Sequence, residues 1–123
     1  MKTETQKKKK EKTVDAQGRT LGRVASEVAT FLMGKNSPAF ERNVLSGFPV
    51  RVINASKIRI TPQKLEQITH LKYSGYRGGL RATKGTETIE KKGFKELLRL
   101  AIYRMLPGNK LRRDMLKNLK IED

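Results

Sequence analysis

Val50-Arg51-Val52-Ile53-Asn54 is the stretch on which the fold turns. Three of its five residues are β-branched, only Arg51 is charged, and Pro49 precedes it. A run so short and so nearly continuous in apolarity predicts an inner strand of a parallel or mixed sheet, covered on both faces. Helical periodicities flank it on both sides. Upstream, Leu21, Val24, Ala25, Val28, Ala29 and Leu32 recur at i, i+3, i+4, i+7, i+8 and i+11, one core-facing stripe that Gly34 can terminate. Downstream, Phe94, Leu97, Leu98, Ala101, Ile102 and Met105 repeat the same spacing until Pro107-Gly108. Strand and helices together predict an α/β domain.

Shorter signals fill the gaps. Thr13 to Ala16 reads as a short strand before the turn Gln17-Gly18-Arg19-Thr20. The loop from Lys35 to Pro49 is punctuated by Pro38, Gly47 and Pro49. Ser56 to Thr61 reads as a turn or short strand stopped by Pro62, and Leu65 to Tyr73 as a second strand. Thr86 to Lys92 reads as a short helix that Gly93 separates from the next, and Asn109 as the cap of a last helix from Lys110 to about Asn118, with Leu111, Met115 and Leu119 on one face.

Charge narrows the function. The 123 residues carry 28 Lys and Arg against 12 Asp and Glu, a formal net charge of +16. Such an excess repels itself in a compact fold and favours a polyanionic partner, nucleic acid first and an anionic membrane second. A membrane role lacks support, because no apolar run approaches the roughly 18 residues of a spanning helix. Residues 1–12 hold six lysines, two glutamates and almost nothing apolar, which predicts a basic flexible arm ahead of one domain over 13–123. From Lys91 to Lys120 there are ten Lys or Arg and two acids, an imbalance that an ordinary solvated helix face does not show.

Enzyme chemistry has little to stand on. Cysteine is absent, which removes thiol catalysis and cysteine zinc sites. His70 is the single histidine, with no carboxylate or second histidine near it in sequence, and reads as packing or phosphate-contacting. Gly18 and Gly22 lack the G-x-G-x-x-G spacing, and Gly34-Lys35 lacks both the first glycine and the Ser or Thr of a phosphate loop. No cofactor, metal or small-molecule substrate is expected.

Recognition is expected instead from Lys72-Tyr-Ser-Gly-Tyr-Arg-Gly-Gly-Leu-Arg-Ala-Thr-Lys84. Gly75, Gly78 and Gly79 free the backbone for a tight loop, Arg77, Arg81 and Lys84 supply guanidinium and ammonium groups for phosphates, and Tyr73 and Tyr76 can pack on a sugar or base. Lys110, Arg112 and Arg113 at the last helix, and Lys35 after the first, complete the expected contact set.

Several pieces, in order, also carry a resemblance. Asp15-Ala16 with Leu21-Gly22-Arg23, Val52-Ile53-Asn54-Ala55, Ser74-Gly75-Tyr76 with Gly78-Gly79-Leu80, and Met105-Leu106-Pro107 with Asn109, Leu111 and Arg113 resemble the bacterial-type large-subunit ribosomal protein family L-thirteen. The match runs from about Thr13 to Ile121. It implies a three-layer single domain with a central, mainly parallel sheet, bound to large-subunit ribosomal RNA among neighbouring ribosomal proteins and acting early in subunit assembly. It also implies a structural role without catalytic residues, on a ribosome of a bacterial cytoplasm or an organelle. Arg77 stands where the family usually has proline, Arg104 and Arg112 where it usually has glycine, and Pro62 where glycine follows the threonine. Three of these four exchanges add positive charge. The competing expectation is a DNA-binding nucleoid-type protein, with the last two helices as a helix-turn-helix.

Overall fold

The computed structural model describes residues 10–123, in the order β1 (Lys12–Asp15), α1 (Leu21–Met33), β2 (Val50–Ile53), α2 (Pro62–Gln67), β3 (Thr69–Tyr73), β4 (Leu80–Lys84), α3 (Gly85–Met105), α4 (Leu111–Lys117) and β5 (Leu119–Ile121). The expected flexible arm falls mainly on residues 1–9, outside the described residues. Its last residue, Lys12, is the first of β1 and pairs with Val50.

β2 is the middle strand of a three-stranded parallel sheet, order β1-β2-β5. The inner position is as expected, but the cover is not. Val14, Val50 and Val52 are buried on one face, whereas Thr13, Asp15, Arg51 and Lys120 on the other are exposed. Arg51 is held there by Glu122 at 2.8 Å, so a charged residue sits in an inner strand without being desolvated. The long helix α3 packs chiefly against α1 rather than across the far face of the sheet. β5 is the element that the sequence hid: Leu119 continues the apolar spacing of α4, yet it leaves the helix and bonds along β2. The Val50 amide donates to the Asn118 carbonyl at 2.9 Å and the Glu122 amide to the Val52 carbonyl at 2.8 Å.

α1 buries all six residues of its stripe and ends as expected. Gly34 takes φ 82°, which an L side chain rarely adopts, and its amide donates back to the carbonyls of Thr30 and Phe31. The long loop that follows returns onto this end. Gly47 lies against the Leu32 backbone, and the Phe48 amide donates to the Phe31 carbonyl at 3.1 Å. In α3, Gly93 at φ 80° kinks the helix where the sequence predicts a separation. Leu97, Leu98 and Ile102 are buried, while Met105 at the end of the expected stripe is exposed and its sulfur accepts from the Ser26 hydroxyl.

The region before the basic loop departs most from expectation. Pro62 does not merely stop an extended segment; it opens α2 at the first helical position, where its missing N–H costs nothing. Leu65 is therefore helical, and only Thr69 to Tyr73 form a strand. That strand pairs with β4, which the sequence presents as loop. At the other end Lys110, not Asn109, occupies the cap of α4, and no side chain bonds there.

Candidate nucleic-acid interface

The glycine-rich segment is a β-hairpin with a short tip. Ser74 to Gly79 alone form the connection, while Arg81 and Lys84 lie in β4. Gly75 takes φ 91°, and two further glycines shape the tip by different means. Gly78 needs its φ of 69°, whereas Gly79 has ordinary φ and instead leaves no room for a side chain against Ser74 Oγ and the Tyr76 carbonyl. Its amide donates to that carbonyl at 3.0 Å, closing the turn. Tyr76, 79% exposed, and Arg77 stand at the tip.

The antiparallel register sorts the hairpin side chains onto two faces, because directly opposed residues share a side. Lys72 lies opposite Arg81 and His70 opposite Thr83, on the side turned to α3. Thr69 opposite Lys84, Leu71 opposite Ala82 and Tyr73 opposite Leu80 occupy the other. The loop arginines and lysine expected to act together are thereby divided. Arg81 joins the α3 side, Lys84 the opposite one, and Arg77 the tip.

The α3 side opens into a cleft of about 560 Å³ between hairpin and helix, lined by Lys72, Lys91, Lys92 and Arg99 with Glu96 as its acid. Glu96 is occupied by Arg99, whose guanidinium donates to both carboxylate oxygens at 2.7 and 2.8 Å and holds the carboxyl below its usual range. Tyr103 forms the far wall and also begins a second cleft, which holds Lys110, Arg112, Arg113 and Lys117 against Asp114. Asp114 is likewise paired, with Lys117 at 3.2 Å. Asn109 at the rim of this second cleft lines a third with Lys35, Arg42 and Glu41. Shared walls thus join the hairpin, the outer side of α3, the α3–α4 turn and the end of α1 into one surface. Cations outnumber acids four to one in the first two clefts and two to one in the third.

Lys35, Lys110 and Arg113, three of the residues expected to contact RNA, are exposed on this surface. Arg112 has a different first task. Its guanidinium donates to the carbonyls of Leu106 at 2.9 Å and Pro107 at 3.1 Å and lies 4.3 Å from the centre of the Tyr103 ring. It fixes the α3–α4 turn and leaves its remaining N–H groups for a ligand. Sequence reasoning missed Lys72, Lys91, Lys92, Arg99, Tyr103 and Lys117 as members of the surface. Lys72 stood only at the start of the quoted glycine-rich stretch; for the others the charge run from Lys91 to Lys120 was the signal, and it does not say which side of a helix faces the hairpin.

His70 lies at the joint. Both ring nitrogens are buried without a hydrogen-bond partner, and burial, reinforced by Arg104 and opposed by Glu96, pushes its pKa down. The imidazole is a neutral packing residue there. Arg104 also donates to the Thr69 carbonyl at 3.4 Å, tying the hairpin base to α3. Among the described residues no group of three or more His, Asp or Glu could hold a metal ion, and no helix is long and apolar enough to cross a membrane.

A helix-turn-helix use of α3 and α4 fits this geometry poorly. α4 is two turns long, and Arg112 on its first turn is folded back onto the preceding carbonyls. Comparison with known proteins decides the matter: the family model described as ribosomal protein L13 matches residues 9–121. The chain belongs to the ribosomal protein L13 family. Similar curated proteins are each named large ribosomal subunit protein uL13. The one from Aquifex aeolicus is 49% identical over 108 residues, covering 88% of this chain and 74% of the relative. That from Clostridium perfringens is 50% identical over 111 residues at 88% and 74% coverage, and that from Thermotoga petrophila 44% identical over 108 residues at 88% and 72%. The family is one of structural ribosomal proteins, so this member is not an enzyme. The pieces that carried the resemblance fall at the fold's joints: the end of β1 and start of α1, the end of β2, the hairpin tip, and the α3–α4 turn.

Proposed function

We propose that the chain binds large-subunit ribosomal RNA through this continuous basic surface and helps the subunit assemble early. It works in ribosomes of the cytoplasm or of an organelle. The surface itself carries the reading. The acids of the first two clefts are neutralised from within by Arg99 and Lys117, and Glu41 is the one acid beside Lys35 and Arg42 in the third, so the exposed Lys35, Lys72, Lys91, Lys92, Lys110 and Arg113 leave a net positive surface that phosphate can offset. The clefts add depth to the charge, which suits a folded RNA backbone better than a flat lattice of charges does. Tyr76 and Arg77 at the hairpin tip reach farther, toward a base or sugar beyond the backbone that the clefts hold. An RNA bound along the whole surface would be gripped at points contributed by the hairpin, α3, α4 and the end of α1, which is the geometry of a clamp on tertiary structure.

Sedimentation of a cell lysate through high salt tests the reading. Retention on the large subunit after loosely bound basic proteins have washed off is the expected result. Recovery with DNA, or release into the soluble fraction with other weakly held basic proteins, would refute it. Early action is tested by pulse labelling: the chain should appear in the smallest large-subunit precursors before it appears in finished subunits.

A further inference from the structure

We propose that the outer face of the β3–β4 hairpin is a protein-docking surface, which takes an apolar, acid-rimmed patch of a neighbouring large-subunit protein while the opposite face takes RNA. The inference rests on the ribosomal reading above. Leu71 is 65% exposed, Tyr73 63% and Leu80 61%, and the register puts all three on one side of the hairpin with Ala82. Together they form an apolar patch on the order of 400 Å², the size at which exposed apolar surface marks an interaction site. The contrast across two strands is sharp. One face turns Lys72, with Arg81 directly opposite it, toward the basic cleft, whose edge Leu71 also borders; the other presents no charge between Lys84 at its base and Arg77 at the tip.

The chemistry of the patch selects its occupant. RNA interfaces are polar and strongly basic, and leucine offers neither a π-face nor a hydrogen bond to a nucleotide. A second copy of the chain would bring another +16 against this one, so self-association is opposed by charge. The residues before Lys10 contribute a single large apolar side chain, Met1, which cannot cover three. Protein interface cores, by contrast, are apolar, enriched in tyrosine and depleted of charge, with polar rims. Lys84 and Arg77, at the two ends, favour acidic residues at the partner's rim. The patch is about half of the roughly 800 Å² that each partner of a standard complex buries, so this contact adds to RNA anchoring and does not replace it.

Because the chain lacks cysteine, Leu80→Cys and Arg81→Cys each accept a single maleimide-benzophenone probe, on adjacent residues that point to opposite faces. Large subunits carrying each labelled variant are irradiated, and the adducts are identified by peptide and RNA sequencing. Position 80 should join one large-subunit protein, at a peptide bearing apolar and acidic side chains, and position 81 should join RNA. An RNA adduct at position 80, an adduct to a second copy, or no adduct there while position 81 labels RNA would overturn the inference and leave the RNA-binding reading intact. Loss of both variants from washed subunits, with circular dichroism showing them folded, would overturn both. As a second measurement, Leu80→Ser, at a position outside the basic clefts, should leave affinity for naked ribosomal RNA within about twofold and reduce retention in competition for assembled subunits at least about fivefold. Equal retention would refute the docking role.

Discussion

Replacing Lys72 and Arg81 together by alanine should weaken RNA binding and strengthen the hairpin, two effects of opposite sign from one perturbation. The two residues face each other directly across β3 and β4, on the side turned to α3. Like charges so placed repel, by roughly 0.2–1 kcal/mol for a directly opposed pair, and removing both lets the hairpin relax by an amount of that order. Binding moves the other way. Each phosphate contact adds about 0.9 to the slope of log K against log salt, so losing two flattens the slope by about 1.8. Extrapolated to the 1 M reference, that is a loss of about 60-fold at 0.1 M salt and only about 3- to 4-fold at 0.5 M. The parent and variant lines should therefore converge as salt rises. The assay is filter binding or fluorescence anisotropy on a large-subunit RNA fragment over that salt range, with thermal melts of the free proteins alongside. Parallel lines would mean that the loss comes through a non-ionic contact or a distorted hairpin. Superimposed lines would mean that this side of the hairpin is only solvated, and would shift the proposed recognition to α4 and the α3–α4 turn.

Three further outcomes test the fold that carries this surface. Leu98→Ala, at a fully buried position of α3, should cost roughly 2–5 kcal/mol in thermal or denaturant unfolding, and an unchanged midpoint would mean that the buried side of the helix is misplaced. Gly47→Ala places a methyl group against the Leu32 backbone, which cannot retreat without breaking the end of α1, so a loss of about 1–3 kcal/mol is expected, and normal stability would refute the close approach. The pKa of His70 is held below its ordinary value of 6.5, chiefly by burial, so the unfolded chain takes up the proton first. Its contribution to stability is present above pH 6.5 and is lost as pH falls through the lowered folded value; His70→Leu should remove this acid-side loss, seen as a flatter pH profile of the unfolding midpoint between pH 7 and 5.

The sequence alone determined the parts whose cause is local. The α1 stripe of six apolar residues is buried in full, because a period of 3.6 leaves only one side of a helix apolar and that side must find the core. Gly34 and Gly93 mark a helix end and a kink for a reason that no neighbour is needed to supply: each takes a positive φ. β2 as an inner parallel strand followed from β-branching and shortness, and the ordered pieces from Asp15 to Arg113 identified the family. What tertiary structure decided is what depends on partners distant in the chain. β5 cannot be told from the end of α4 by spacing, since Leu119 satisfies the helical period and becomes a strand only because β2 offers it hydrogen bonds. The cover over β2 lies on one side, because Glu122 provides Arg51 with a partner at the surface and so removes the need to bury that face. The recognition surface shows the same division. A basic segment is legible in composition, but the alternation of a two-stranded ribbon sends Arg81 to one side and Lys84 to the other, and only the docking of that ribbon on α3 brings Lys72 beside Lys91, Lys92 and Arg99.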